Sequence, residues 1–215
     1  MSDAALGQFA YRLKRIYGNS TDVDALANDL LRVCQNYVEA NQRTLLQVPT
    51  SADSPRWSEQ DVILITYGNS IQAPGEVPMQ TLAKFLSERL SGTVNAVHIL
   101  PFFPYSSDDG FSVIDYRQVN PEWGTWDDVA SIAASFDLMA DLVINHCSRE
   151  NLWFVDYIGN HEPYSEYFIE VDPSTDVSLV TRPRNTPLLT PVHTHRGVRH
   201  VWATFSEDQI DLNFA

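Results

Sequence analysis

An apolar run of strand length, Asp141-Leu-Val-Ile-Asn-His146, ends abruptly in two polar side chains. A histidine delivered by a buried strand can donate a hydrogen bond to a hydroxyl or to developing charge, and an adjacent amide such as Asn145 can orient its ring. The same pair could equally cap a helix or satisfy a core. Upstream, Pro101-Phe-Phe-Pro-Tyr-Ser-Ser-Asp-Asp-Gly-Phe111 combines two carboxylates, a glycine and several aromatics. A carboxylate accepts from two neighbouring hydroxyls and an aromatic face covers the apolar side of a pyranose, so this mixture suits a sugar. An acidic Asp109-Gly110 turn with locally packed aromatics would use the same residues. Arg182-Pro-Arg184 is a cationic pair stiffened by proline, either a solvated loop or a place to hold an anion. His193, His195 and His200 match no strong zinc spacing and have no nearby cysteine, so no metal is expected. Gly68 belongs to neither a GxGxxG nor a Walker pattern, and no nucleotide or other cofactor is expected.

Such groups need a scaffold. With 215 residues, of which 44% are hydrophobic, the chain can bury a sizeable core. Its net charge of −14 argues against nucleic acid or an anionic membrane as the main partner. Cys34 and Cys147 form no CxxC pair, and the opening residues lack a basic start followed by an apolar core. No apolar run reaches membrane-spanning length. These features suggest an acidic, cytoplasmic protein.

The spacing predicts a helix over 3–18 with Leu6, Phe9, Leu13, Ile16 and Tyr17 on one face, stopped by Gly18. Thr21 fits an N-cap with Asp24 at N3, ahead of a stripe of Leu26, Leu30, Val33, Cys34 and Tyr37. An αα-hairpin follows, and 41–56 reads as a linker. Val62-Ile-Leu-Ile65 resembles a strand buried on both faces. Pro78 can open a helix with Leu82, Phe85, Leu86 and Leu90 on one side, ended by Gly92. A strand at Val94–Leu100 is closed by Pro101; Thr125 and Asp128 resemble a capping box before Val129, Ile132, Ala133 and Phe136; a third strand is expected at Leu142–Ile144. Segments 62–66, 95–100 and 141–145 should then lie parallel in chain order, with right-handed helical crossovers. Ser148 could cap a short helix carrying Leu152, Trp153 and Tyr157, and Glu166–Val171 is β-like. The rest of 160–200 reads as an inserted subdomain.

Three separated motifs resemble glycoside hydrolase family 13, the α-amylase superfamily, and within it the sucrose-phosphorylase-like branch. They are VNAVHILPFFPYSSDDGFSVIDYRQVNPEWGTWDDV at 94–129, DLVINH at 141–146 and HVWATFSEDQIDLN at 200–213. The resemblance covers about residues 58–215, and the helical prefix is similar to that of branch members acting on glucosylglycerate, glucosylglycerol or sucrose 6-phosphate. It implies an α/β fold, the N-terminal part of a (β/α)8 TIM barrel with a B-domain insertion after strand 3 and a helical N-terminal extension. The implied organisation is an extension and linker at 1–56, three β/α units at 57–147, the insertion at 148–205 and a return at 206–215.

The resemblance also implies retaining chemistry, in which a carboxylate takes the α-glucosyl unit and inorganic phosphate releases it as α-glucose 1-phosphate. Partners would be an α-glucoside and phosphate; hydrolysis, transglucosylation or a non-catalytic carbohydrate-binding role are the alternatives. By motif, Asp108 resembles the aspartate that holds hydroxyls of the transferred glucose and His146 the histidine beside it. Phe111 would line that pocket, and Arg184 resembles an acceptor-loop arginine. The family's nucleophile follows an Arg-x-Asp pattern that does not occur between Asp208 and Ala215. All three catalytic carboxylates are therefore expected beyond Ala215, with this chain an N-terminal fragment inactive alone and prone to expose apolar surface.

Overall fold

The computed structural model describes residues 3–18, 22–40, 57–182 and 184–214. The chain divides into a unit at Met1–Ser58 and a larger one at Glu59–Ala215, each taken by itself below.

In the first unit, α1 (Asp3–Tyr17) and α2 (Val23–Ala40) pack on one another. Gly18, at φ +61°, ends α1 by donating its N–H to the Lys14 carbonyl. The cap of α2 is Asp22, whose Oδ1 accepts from the Ala25 N–H at 3.0 Å; Thr21 lies outside the described residues, as does the expected linker at 41–56. The buried stripe of α2 also differs from expectation. It centres on fully buried Ala27, with Leu31, Cys34 and Val38 half-buried, whereas Leu30, Val33 and Tyr37 turn outward at 37%, 61% and 56% exposure. A small residue at the contact lets two helix backbones approach, so Ala27 rather than the larger residues fixes the rotation of α2.

The second unit opens with a parallel sheet of β1 (Ile63–Thr66), β2 (Ala96–Ile99) and β3 (Asp137–Ala140), ordered β1-β2-β3. The crossovers are α3 (Pro78–Phe85), which runs on as a π turn through Leu90, and α4 (Trp126–Ala133). Right-handed crossovers between strands in chain order put both helices on the same face. Met79, Leu82 and Leu86 of the first helical segment meet Val97, Ile99, Val129, Ile132 and Phe136 there. The expectation that β1 is buried on both faces is therefore wrong: Ile63, Ile65 and Met139 point away from the helices and are 49%, 62% and 46% exposed.

The third strand also lies earlier than the apolar run suggested. Ile99 pairs with Ala140, and the ladder stops there because Pro101 has no N–H to continue it. Leu142–Ile144 instead makes a tight local turn, with Ile144 N–H donating to the Leu142 carbonyl at 3.1 Å. The expected capping box is present: the Thr125 N–H and hydroxyl both donate to Asp128 Oδ2, at 2.8 and 2.9 Å. Gln80 adds a bond to Asp128 Oδ1 at 2.8 Å, tying α3 to α4.

After the sheet, β4 (His146–Ser148) pairs antiparallel with β7 (Gln209–Asp211). Between them lie α5 (Leu152–Gly159) and a hairpin of β5 (Leu189–Thr194) and β6 (Gly197–Trp202). The cap of α5 is Asn151, whose Oδ1 accepts from Trp153 N–H at 2.9 Å; the Ser148 hydroxyl instead meets Ser106 Oγ and accepts from the Glu150 N–H. Phe154 and Tyr157 face the core and Leu152 is exposed. Cys147, Phe154, Tyr157, Phe168, Val192, Val201 and Ile210 form a second core. Residues 166–171 make only single bridges, Phe168 to Leu212 and Glu170 to Val201, not the expected strand.

Two outcomes test this packing. Burial opposes the charge on Asp128, but its bonds from Gln80 and Thr125 outweigh that and hold the carboxyl below the usual range. Asp128→Ala should cost about 1–2 kcal/mol at neutral pH. Because the folded-state pKa is depressed, this stabilisation is present above the unfolded carboxyl's pKa and is lost as pH falls through the folded one; urea melts at pH 7 and pH 3 should show the two proteins converging in acid. The open sheet face should bind an apolar fluorescent dye, and Ile65→Thr with Met139→Ser should lower the signal without shifting the melt.

Candidate active-site pocket

Asp108, Phe111, His146 and Arg184 line one concavity of about 340 Å³ with Asp141, Asn145, Phe205 and Gln209. Four residues singled out from three separate stretches of sequence thus meet. Each is placed by a different local device.

Asp108 sits in a short 3-10 turn, Asp108–Gly110, within a loop closed by a bridge between Tyr105 and Val113. Gly110 is required: at φ +105°, a Cβ here would stand 2.6 Å from the Pro101 carbonyl oxygen. The turn aims Asp108 at the pocket, where Oδ2 accepts from Gln209 Nε2 at 2.9 Å.

His146 is 4% exposed and its ring is fixed at both nitrogens. Nε2 lies 2.9 Å from the Phe111 carbonyl, which can only accept, so Nε2 carries the hydrogen. Nδ1 then accepts from Asn145 Nδ2 at 2.9 Å, as the neighbouring amide was expected to do. Gln209 Nε2 is also 3.2 Å from His146 Nε2, but with that nitrogen already donating, Gln209 gives its hydrogen to Asp108. The His146 ring rests on Phe205, with centroids 5.0 Å apart. Burial lowers its pKa, outweighing the carbonyl of Phe111 and the nearby Asp211 and Asp108, so the imidazole is neutral at pH 7.

The two arginines divide their roles. Arg182 Nε donates to the Thr204 carbonyl at 3.0 Å and its Nη atoms to Ala203 and Thr186, so this side chain locks a loop. That corrects the view of a cationic pair; Pro183 between them lies outside the described residues. Arg184, half exposed, reaches the pocket and stands 3.9 Å from Asp108 Oδ1. His193 and His200 face Val198 and Pro191 across the β5–β6 hairpin, not each other, and no cluster of three metal-ligating side chains occurs among the described residues.

Gln209, Phe205 and Asp208 lie within the motif at 200–213, but the sequence assigned none of them a role. Asp208 Oδ2 receives the hydroxyls of Ser106, Ser107 and Ser112. The only local signal was the serine excess flanking the acidic pair in SSDDGFS, matched far downstream by the acidic SEDQ.

The lowered His146 pKa has a testable sign. As pH falls below about 6.5, the unfolded chain binds the proton first, so stability declines until the folded His146 is protonated too. Urea melts at pH 7.5 and 5.5 should show a larger loss for the wild type than for His146→Gln.

The sequence pattern of the alpha-amylase catalytic domain matches residues 91–209. The glucosylglycerate phosphorylase of Spirochaeta thermophila is 57% identical over 155 residues, which are 72% of this chain and 26% of that protein. That of Escherichia coli is 46% identical over 166 residues, 77% of this chain and 30% of that one. The crystal structure of sucrose 6F-phosphate phosphorylase from Thermoanaerobacter thermosaccharolyticum matches with a TM-score of 0.65 at 30% identity, covering 73% of this chain and 34% of that chain. The chain thus spans about a third or less of the length of these relatives. Its parallel sheet and crossover helices are two β/α units and the third strand of a (β/α)8 barrel, with an insertion after that strand. On this match and this fold, the chain belongs to the alpha-amylase catalytic-domain family, glycoside hydrolase family 13.

Proposed function

We propose that the pocket holds the glucosyl unit of an α-glucoside in a retaining phosphorylase, with inorganic phosphate as the acceptor that yields α-glucose 1-phosphate. The observation that carries the reading is the meeting of Asp108, Phe111, His146 and Arg184 around one concavity. A carboxylate for sugar hydroxyls, an aromatic wall, a neutral imidazole and one guanidinium are what a glucosyl site beside an anionic acceptor requires. Arg184 is the cation for that acceptor, and its loose contact with Asp108 leaves it able to turn toward an incoming anion. The names of the relatives at 46% and 57% identity favour glucosylglycerate as the glucoside. Its carboxylate, like phosphate, is an anion that Arg184 can bind.

In this reading residues 57–147 are the first barrel units, 148–205 the B domain that brings Arg184 over the pocket, 206–215 the return, and 1–56 a helical prefix. The covalent nucleophile and the acid/base carboxyl belong to polypeptide beyond Ala215, and the setting is cytoplasmic. Among the described residues no helix is long and apolar enough to cross a membrane.

The test uses a polypeptide carrying this chain and the remaining length of its relatives, supplied with phosphate and glucosylglycerate, glucosylglycerol, sucrose or sucrose 6-phosphate. Release of glucose 1-phosphate supports the reading; glucose alone from every substrate would sink it. Asp108→Ala leaves sugar hydroxyls unpaired as ring charge develops, a loss of about 2–4 kcal/mol, or roughly two to three orders of magnitude in turnover. Arg184→Ala should depress phosphorolysis most and spare hydrolysis of the glucosyl-enzyme. Equal losses in both reactions would remove Arg184 from the acceptor side.

A further inference from the structure

The backbone that presents Asp108 is strained. Asp108 and Asp109 are consecutive non-glycine residues in the left-handed region, at φ +55° and +50°. L-residues avoid that region because Cβ crowds the following carbonyl oxygen, and such conformations persist only where the surroundings over-determine them.

The surroundings here are one carboxylate. Asp208 Oδ2 accepts from Ser106 at 2.6 Å, Ser107 at 2.5 Å and Ser112 at 2.8 Å, so it holds both flanks of the strained turn. With its hydrogen given to Asp208, the Ser106 oxygen can accept from Ser148 of β4 at 2.6 Å, which ties the cluster to the strand that delivers His146. Ser112 and Ser148 are fully buried. Among the described residues no arginine, lysine or histidine forms an ion pair with Asp208. Its charge is held by hydroxyls, whose bonds to an ionised acceptor are short and strong. The neighbouring residue acts on the same loop from inside the pocket, because Gln209 bonds the Asp108 carboxylate itself.

We infer that Asp208 is a positioning residue, whose carboxylate clamps the loop at 106–112 and thereby keeps Asp108 aimed into the pocket. The clamp is a property of the loop; only its consequence for sugar rests on the function proposed above.

Residue-resolved amide hydrogen exchange of the 215-residue chain separates this role from a general contribution to stability. The reporters are the N–H groups of Phe111 and Ser112, which donate to the Asp108 and Ser107 carbonyls, and those of Ala96 and Leu100 in the sheet. In Asp208→Ala the two loop amides should exchange roughly ten- to a hundredfold faster while the sheet amides keep their rates. Asp208→Asn, which retains an acceptor oxygen, should restore most of the protection. Uniform acceleration of loop and sheet, or none, would overturn the inference. If Asp208→Ala does not fold, Ser107→Ala removes one of the three hydroxyls and should give a smaller acceleration confined to the same two amides; its absence there also overturns the clamp. Titration of the longer polypeptide named above with D-glucose, wild type beside the same variants, keeps the two readings apart. Local loosening with no glucose response from the wild type or any variant would leave the clamp supported and remove the sugar assignment.

Discussion

The pocket depends on a three-residue antiparallel pairing. His146 faces Asp211, Cys147 faces Ile210 and Ser148 faces Gln209. That short ladder brings the segment after the third parallel strand against one more distant in sequence, and with it come both neighbours of the Asp108 loop, Asp208 and Gln209. Cys147 and Ile210, wholly buried, anchor the pairing in the second core. Removing this pairing would scatter the pocket while leaving the parallel sheet and its helices unchanged.

Charge is arranged so that the pocket does not mirror the acidity of the whole chain. His146 is kept neutral by burial, and Asp208 is occupied by hydroxyls. Asp141 of the lining is engaged by His98 Nε2 at 2.8 Å, whereas Asp108 and Arg184 stand as opposite charges at the opening, both about half exposed and only loosely paired. An exposed pair of this kind contributes little to stability, so either partner can be released to a ligand at small cost. Arg182, by contrast, spends its guanidinium on three backbone carbonyls and a hydroxyl, which is why the loop beyond it can hold Arg184 over the pocket.

What could be read from the sequence was what depends on neighbours in the chain. The stripe from Leu82 to Leu86, the Thr125–Asp128 capping box and the polar end at Asn145-His146 each declare themselves within a few residues. Readings failed where a partner distant in sequence decided the outcome. Val62–Ile65 is apolar enough for two-sided burial, yet crossover handedness covers one side only. Leu142–Ile144 has strand composition, but Pro101 withdraws the N–H that pairing there would need. Pro191 inside β5 and the glycine turn after Thr194 hid a hairpin whose register is plain once Val192 and Val201 share a core. Asp208 and Gln209 lie about a hundred residues from the loop they hold, a distance no local pattern spans.

The β4–β7 ladder also closes a loop: everything from Arg149 to Asp208 begins and ends at the same clasp. The entropy of closing a flexible loop grows only with the logarithm of its length, about 0.6 kcal/mol for each doubling. Exposed turns of this excursion can therefore gain or lose residues with little penalty at the pocket, provided the clasp, the second core and the residues that return to the pocket, Arg184, Phe205 and Asp208, survive. Those turns are free to vary in length and content, and so to change the outer rim of the concavity, while the residues beneath them stay fixed in place.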